Sequence, residues 1–202
     1  MDHGKGQDGM SIEVALDHPE GGRGTTHWQV RKYDAEQALW TSRRLNGVVA
    51  LTDSHFAQVG VKPYAVSGTL GNVITNAGWQ ALLASATTGG TPMFTASKGR
   101  IGVGDGTTAP AATDTDLSAS SNRLFKFMAA PPVVSTGTNR TWTFSVSFLS
   151  GDANFPWQEF GIDQGTTDGT SVVPVFFNHA LSNQGTKTTG QVWTATATVS
   201  FT

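Results

Sequence analysis

The chain has 202 residues, a formal net charge of −2, no Cys, 24 Gly and only 14% charged residues, whereas globular chains carry about 25% charged residues and about 7% Gly. The missing Cys excludes disulfide scaffolds, thiol enzymes, Cys-ligated zinc and iron–sulfur clusters. The near-neutral balance argues against an electrostatic nucleic-acid binder, and no apolar run is long enough to span a membrane as a helix. Scarce charge with abundant Gly, Thr and Ser disfavours long amphipathic helices and favours short strands joined by Gly-rich turns.

Residues 1–24 are rich in Gly and charge, with one apolar island, Ile12-Glu13-Val14-Ala15-Leu16. They read as an extended N-terminal arm that cannot bury enough surface to order itself alone. The start has no basic segment followed by an apolar stretch, so a polypeptide made in the cytoplasm is expected. Residues 25–202 read as one domain, long enough to bury about 70% of its unfolded surface. His27–Tyr33 alternates as a strand. For 34–45 two readings compete. Asp34 can cap a helix ending at Arg43-Arg44, but Asn46-Gly47 favours a type I′ hairpin, and the hairpin is the expectation. Residues 55–70 read as irregular with one short strand.

One helix is expected over 75–86, capped by Thr75 or Asn76, with Trp79, Leu82, Leu83 and Ala86 on one face and Gly89-Gly90 ending it. Further strands are expected at 100–103, 123–128, 141–149, 157–162, 172–179 and 191–201. In 141–149, Trp142, Phe144, Val146 and Phe148 alternate with Thr and Ser, and the last strand alternates in the same way. Such half-buried antiparallel strands with intervening turn signals predict a mainly-β antiparallel sandwich, jelly-roll or Ig-like, carrying one short helix.

Gly102-Val103-Gly104-Asp105-Gly106 is no dinucleotide loop, because the third Gly comes one residue early and no helix follows it. Asp105, Asp114 and Asp116 offer oxygen ligands but lack Ca²⁺-loop spacing. The five His are scattered without a metal-ligand pair, and no Gly-x-Ser-x-Gly elbow appears. Glu159 is a lone carboxylate among aromatics, whereas glycoside hydrolysis takes two. Trp40, Trp157 and Tyr64 are candidate platforms for stacking on sugar rings. No cofactor or metal is implied.

The stretch Gly71-Asn72-Val73-Ile74-Thr75-Asn76-Ala77-Gly78-Trp79, then Arg100-Ile101-Gly102-Val103-Gly104-Asp105-Gly106-Thr107-Thr108-Ala109-Pro110, Gln158-Glu159-Phe160-Gly161-Ile162-Asp163 and the closing Thr-rich strand occur in a particular order. That order resembles structural proteins of tailed-bacteriophage virions, of the tail-collar and tail-fibre type, over about residues 70–202. The resemblance implies a virion component without a catalytic site. Its partners would be other virion proteins and copies of itself, with no nucleic acid or membrane. Interface residues are expected at Ile12, Val14, Leu16, Trp28 and Trp40. A capsid decoration protein is the alternative in the same class. Beyond it stand a carbohydrate-binding module recognising a host-surface glycan through Trp157 and Tyr64, and a glycan-cleaving enzyme using Glu159.

Overall fold

Alternation of apolar and hydroxyl side chains builds the long strands, and their apolar halves meet in one core. A computed structural model describes residues 25–87, 92–128, 130–135 and 140–201. The arm with Ile12, Val14 and Leu16, and the Gly89-Gly90 pair, lie outside the described residues. The order is β1 (Thr25–Tyr33), α1 (Ala35–Arg44), α2 (Asp53–Gln58), β2 (Ala65–Leu70), β3 (Val73–Ile74), α3 (Asn76–Thr87), β4 (Arg100–Gly104), β5 (Arg123–Phe127), β6 (Val133–Ser135), β7 (Arg140–Phe148), β8 (Pro156–Asp163), β9 (Asn178–Thr186) and β10 (Val192–Phe201). They form two antiparallel five-stranded sheets, a first ordered β2-β1-β10-β7-β6 and a second ordered β3-β9-β8-β4-β5. The protein is a mainly-β sandwich.

Trp28, Val30, Phe144, Phe148, Ala195, Ala197 and Val199 of the first sheet face Ile101, Val103, Trp157, Phe160 and Ile162 of the second. The small Ala195 and Ala197 leave room for large rings, so Trp28 meets Phe160 at 5.1 Å and Trp157 meets Trp193 at 5.0 Å between centroids. Interlocking of this kind fills a core at crystal-like density. On the other face of the first sheet, Ser145 and Thr196 pair their hydroxyls at 3.1 Å and Ser147 and Thr194 at 3.0 Å. α1 and α2 pack over one end of that face through a smaller core of Tyr33, Ala38, Leu51, Phe56 and Val192.

Residues 34–45 are helical, not a hairpin. Asp34 accepts from Gln37 N at 2.8 Å while its own N–H donates to Gln37 Oε1 at 3.0 Å, a reciprocal cap on the first turn. Asn46 and Gly47 do take positive φ, 57° and 86°, but they use it to close the helix, Gly47 N donating to Ser42 O at 2.8 Å. Residues 53–58 add a second helix, α2, whose Phe56 stacks on Tyr33 with centroids 3.6 Å apart. The expected helix at 75–86 is α3. Thr75 Oγ1 accepts from Gly78 N at 2.9 Å, and a Cβ on Gly78 would come within 2.4 Å of Phe177 O. The Thr-x-x-Gly spacing therefore caps the helix and lets it lie against the lead into β9. That strand begins at Asn178, later than expected, because Phe176 turns out to cover the second sheet.

Two aromatic expectations are corrected by burial. Trp28 lies in the core and presents no interface. Trp157 is wholly buried, with its indole N–H donating to Ala153 O at 3.0 Å, so it offers no sugar platform. A β-bulge between Trp157 and Glu159 shifts the register, which turns Trp157 inward and Glu159 to the opposite face.

Candidate functional site

The outer face of the second sheet collects the residues that carry the sequence motifs. Register places Arg100 opposite Asp163, Gly102 opposite Gly161 and Gly104 opposite Glu159 across β4 and β8, with His179 of β9 beside Gly161. The glycines leave a trough down the middle of this face. Rings fill it: a Cβ on Gly102 would meet the Phe125 ring at 2.5 Å, and one on Gly161 the Phe176 ring at 2.3 Å. Charged clusters close both ends, and each holds a long loop.

At one end Glu159 receives the loop 105–122. Its Oε2 accepts from Ser118 N and Ser118 Oγ, both at 2.8 Å, and its Oε1 accepts from Ala119 N at 2.7 Å. His179 Nε2 donates to the same Oε2 at 2.9 Å, and Nδ1 donates to Asp114 Oδ2 at 2.6 Å. With a carboxylate at each ring nitrogen, His179 holds both protons. Burial opposes the charge on His179, but hydrogen bonds to Glu159 and Asp114 outweigh it and raise the pKa. Burial likewise opposes ionisation of Glu159, and the donors from His179, Ser118 and Ala119 overcome it, holding its pKa at about 2. A Cβ on Gly104 or Gly106 would stand 2.5 Å from Glu159 Oε1. The Gly-x-Gly-x-Gly run thus makes room for a carboxylate, not a phosphate.

At the other end Arg100 and Asp163 form a buried two-pronged pair. The guanidinium also donates to Thr167 O at 2.9 Å and Ser171 O at 2.8 Å, while Asp163 accepts from Val173 N at 2.7 Å and Gly165 N at 3.0 Å. Phe125 lies against the guanidinium, its ring centre 4.9 Å away. This pair pins the loop 164–173 as Glu159 pins 105–122. A third buried cation, Lys187, donates to Leu149 O at 2.7 Å, Asp152 O at 2.9 Å and Asn154 Oδ1 at 3.0 Å, and burial lowers its pKa to about 8.

Chemically, these groups are engaged with one another. Glu159 has no proton to give near neutral pH, His179 has no free nitrogen to act as base, and Ser118 donates to a carboxylate instead of to an imidazole. The three loop aspartates part company: Asp114 pairs His179, Asp105 accepts from Asn122 Nδ2 at 2.7 Å, and Asp116 takes Arg123 at 2.7 Å. Among the described residues no group of three or more His, Cys, Asp or Glu is disposed to hold a metal ion.

The remaining aromatic candidates stand elsewhere. Trp40 is 45% exposed and Tyr64 49%. Trp40 lines a groove of about 310 Å³ between α1 and the turn after α2. The sequence singled out Glu159 and held His179 only as one of five scattered histidines; it left out Arg100, Ser118, Ala119 and Lys187 as site residues. Gly104 stands opposite Glu159 and signals room beside that carboxylate, whereas Arg100 stands opposite Asp163 itself and has no such glycine signal. Compared with protein-family models, curated proteins and solved structures, the chain matches none.

Proposed function

We propose that this protein is a non-enzymatic structural component of a tailed-bacteriophage virion, associated with the tail, collar or fibre, that assembles through symmetric contacts with its own copies and with other virion proteins. One observation carries the reading. The separated stretches on which the resemblance rests, 100–110 and 158–163, meet on one sheet face together with His179, and their polar groups hold loops against it. Motif residues used in this way make a stiff module, which a particle part needs outside the cell. The first sheet supports the reading from the other side: the end not packed by α1 and α2 is written mainly in Thr, Ser and Gln, with His27 and the exposed Val133 among them, and has little charge to desolvate on association.

Electron microscopy with light scattering tests it on the full-length protein. Closed assemblies of three-fold or six-fold symmetry are expected. Deleting residues 1–24 is expected to abolish assembly while 25–202, which contains the whole described core, still unfolds cooperatively. A full-length protein that stays monomeric, or a truncated one that assembles normally, overturns the reading. A capsid-lattice arrangement moves the protein to the head surface.

A further inference from the structure

The groove beside Trp40 shares no residue with the clusters around Glu159 and Arg100, and its volume of about 310 Å³ lies at the lower end of small-ligand sites. One wall is the first turns of α1, bearing Glu36, Gln37 and Trp40; the other is the turn 59–62, ending in Lys62. The walls are tied together. Gln37 accepts from Asp34 N at 3.0 Å through Oε1 and donates to Lys62 O at 2.8 Å through Nε2. Beneath them Tyr33 and Phe56 stack. A Cβ on Gly60 would meet nothing within 4 Å, so the turn leaves its side of the groove open.

What remains accessible defines a ligand. The Trp40 indole presents a flat apolar surface, Asp34 and Glu36 accept hydrogen bonds, and Lys62 donates them. A ligand that uses all of these needs an apolar face, hydroxyls that both donate and accept, and no net charge. A cation would compete with Lys62 and with the Arg44 guanidinium, already 5.6 Å from the Trp40 ring centre. A pyranose ring meets the three requirements: its C–H face covers an indole and its hydroxyls serve either hydrogen-bond role. We infer that the α1 groove is a subsite for one neutral hexopyranose unit of a glycan, stacked on Trp40 and hydrogen-bonded by Glu36, Asp34 and Lys62. This holds independently of the virion reading.

The test is a titration of ¹⁵N-labelled full-length protein with D-glucose, D-galactose and N-acetyl-D-glucosamine, each to about 100 mM, well above the Kd on the order of 1–10 mM expected for ligands of this size. At least one sugar is expected to shift the Trp40 indole N–H and the backbone amides of residues 59–62. Trp40→Ala is expected to abolish the shifts at those amides, Trp40→Phe to keep weakened binding, and Glu36→Gln to weaken it about 5-fold or more. The other indole signals report that each variant is folded. Three silent sugars, shifts elsewhere, or amide shifts that survive Trp40→Ala overturn the inference. So does a titration in which acetyl-arginine amide moves these signals and the sugars do not, which would make the groove a cation site.

Discussion

Gly104 stands opposite Glu159, and a methyl group there would come within 2.5 Å of Oε1 and 3.0 Å of the Ala119 Cβ. Both neighbours are held, the carboxylate by its donors and Ala119 by its own N–H bond to it. Gly104→Ala is therefore expected to cost about 1–3 kcal/mol in urea unfolding, as overpacking does. Gly151→Ala, where nothing lies within 4 Å of the added atom, serves as the near-neutral comparison. The same cluster imposes a pH dependence. Glu159 titrates at about 2 in the folded state, against 4.5 for an unperturbed glutamate. Its contribution is thus complete above pH 4.5 and is lost as pH falls toward 2. His179 is raised above 6.5, so its contribution is complete below pH 6.5 and is lost as pH rises through the folded value. Burial of the charged Lys187, whose pKa is lowered from 10.5 to about 8, is a cost carried in full below pH 8 and relieved as pH rises from 8 to 10.5. Unfolding free energies of wild type and His179→Gln should differ most between pH 4.5 and 6.5 and converge as pH rises above that window. A constant difference across about pH 5–9 would mean that His179 is not charged when folded.

Among the elements, α1 shows how two local signals compete. Asp34→Ala removes a cap that the Gln37 side chain reciprocates. It should destabilise the protein by about 1 kcal/mol in thermal or urea melts, with amide exchange accelerating first in 35–38. Asn46-Gly47 was legible as a pair wanting positive φ, but that preference serves a hairpin turn and a helix end equally. Packing on Tyr33 and Val192 decides for the helix, and nothing local in the sequence contains it. The long strands were legible because β7 and β10 alternate without interruption. β8 was legible as a strand but not in its facing, because the bulge after Trp157 breaks the period of two. That one inserted residue accounts for the misplaced expectation there, Trp157 as a surface platform. Of the site, Glu159 and His179 could be noticed but not joined, since they lie 20 residues apart and two of the donors to Glu159 are backbone N–H groups with no side-chain signature.

At the scale of the whole molecule, charge is divided unevenly between the two sheets. The second sheet hides ion pairs under its loops, whereas the uncovered end of the first carries rows such as Gln29, Thr196 and Ser145, aligned across β1, β10 and β7. Two copies meeting on such a face would exchange water for hydroxyl contacts and modest apolar area, with few charges to pair. Association driven by opposed surface charges weakens as salt shortens the Debye length from about 14 Å at 0.05 M to about 3 Å at 1 M. Association through an uncharged face has no such term, and salts excluded from protein surface strengthen it. For the proposed assembly, sedimentation velocity at about 0.05 M and about 1 M NaCl should give an unchanged or larger assembled fraction at the higher salt, and about 0.5 M sodium sulfate should increase it further. Dissociation on going to about 1 M NaCl would place the contact on the charged positions, the Arg43–Arg44 end of α1 among them, and not on the hydroxyl face.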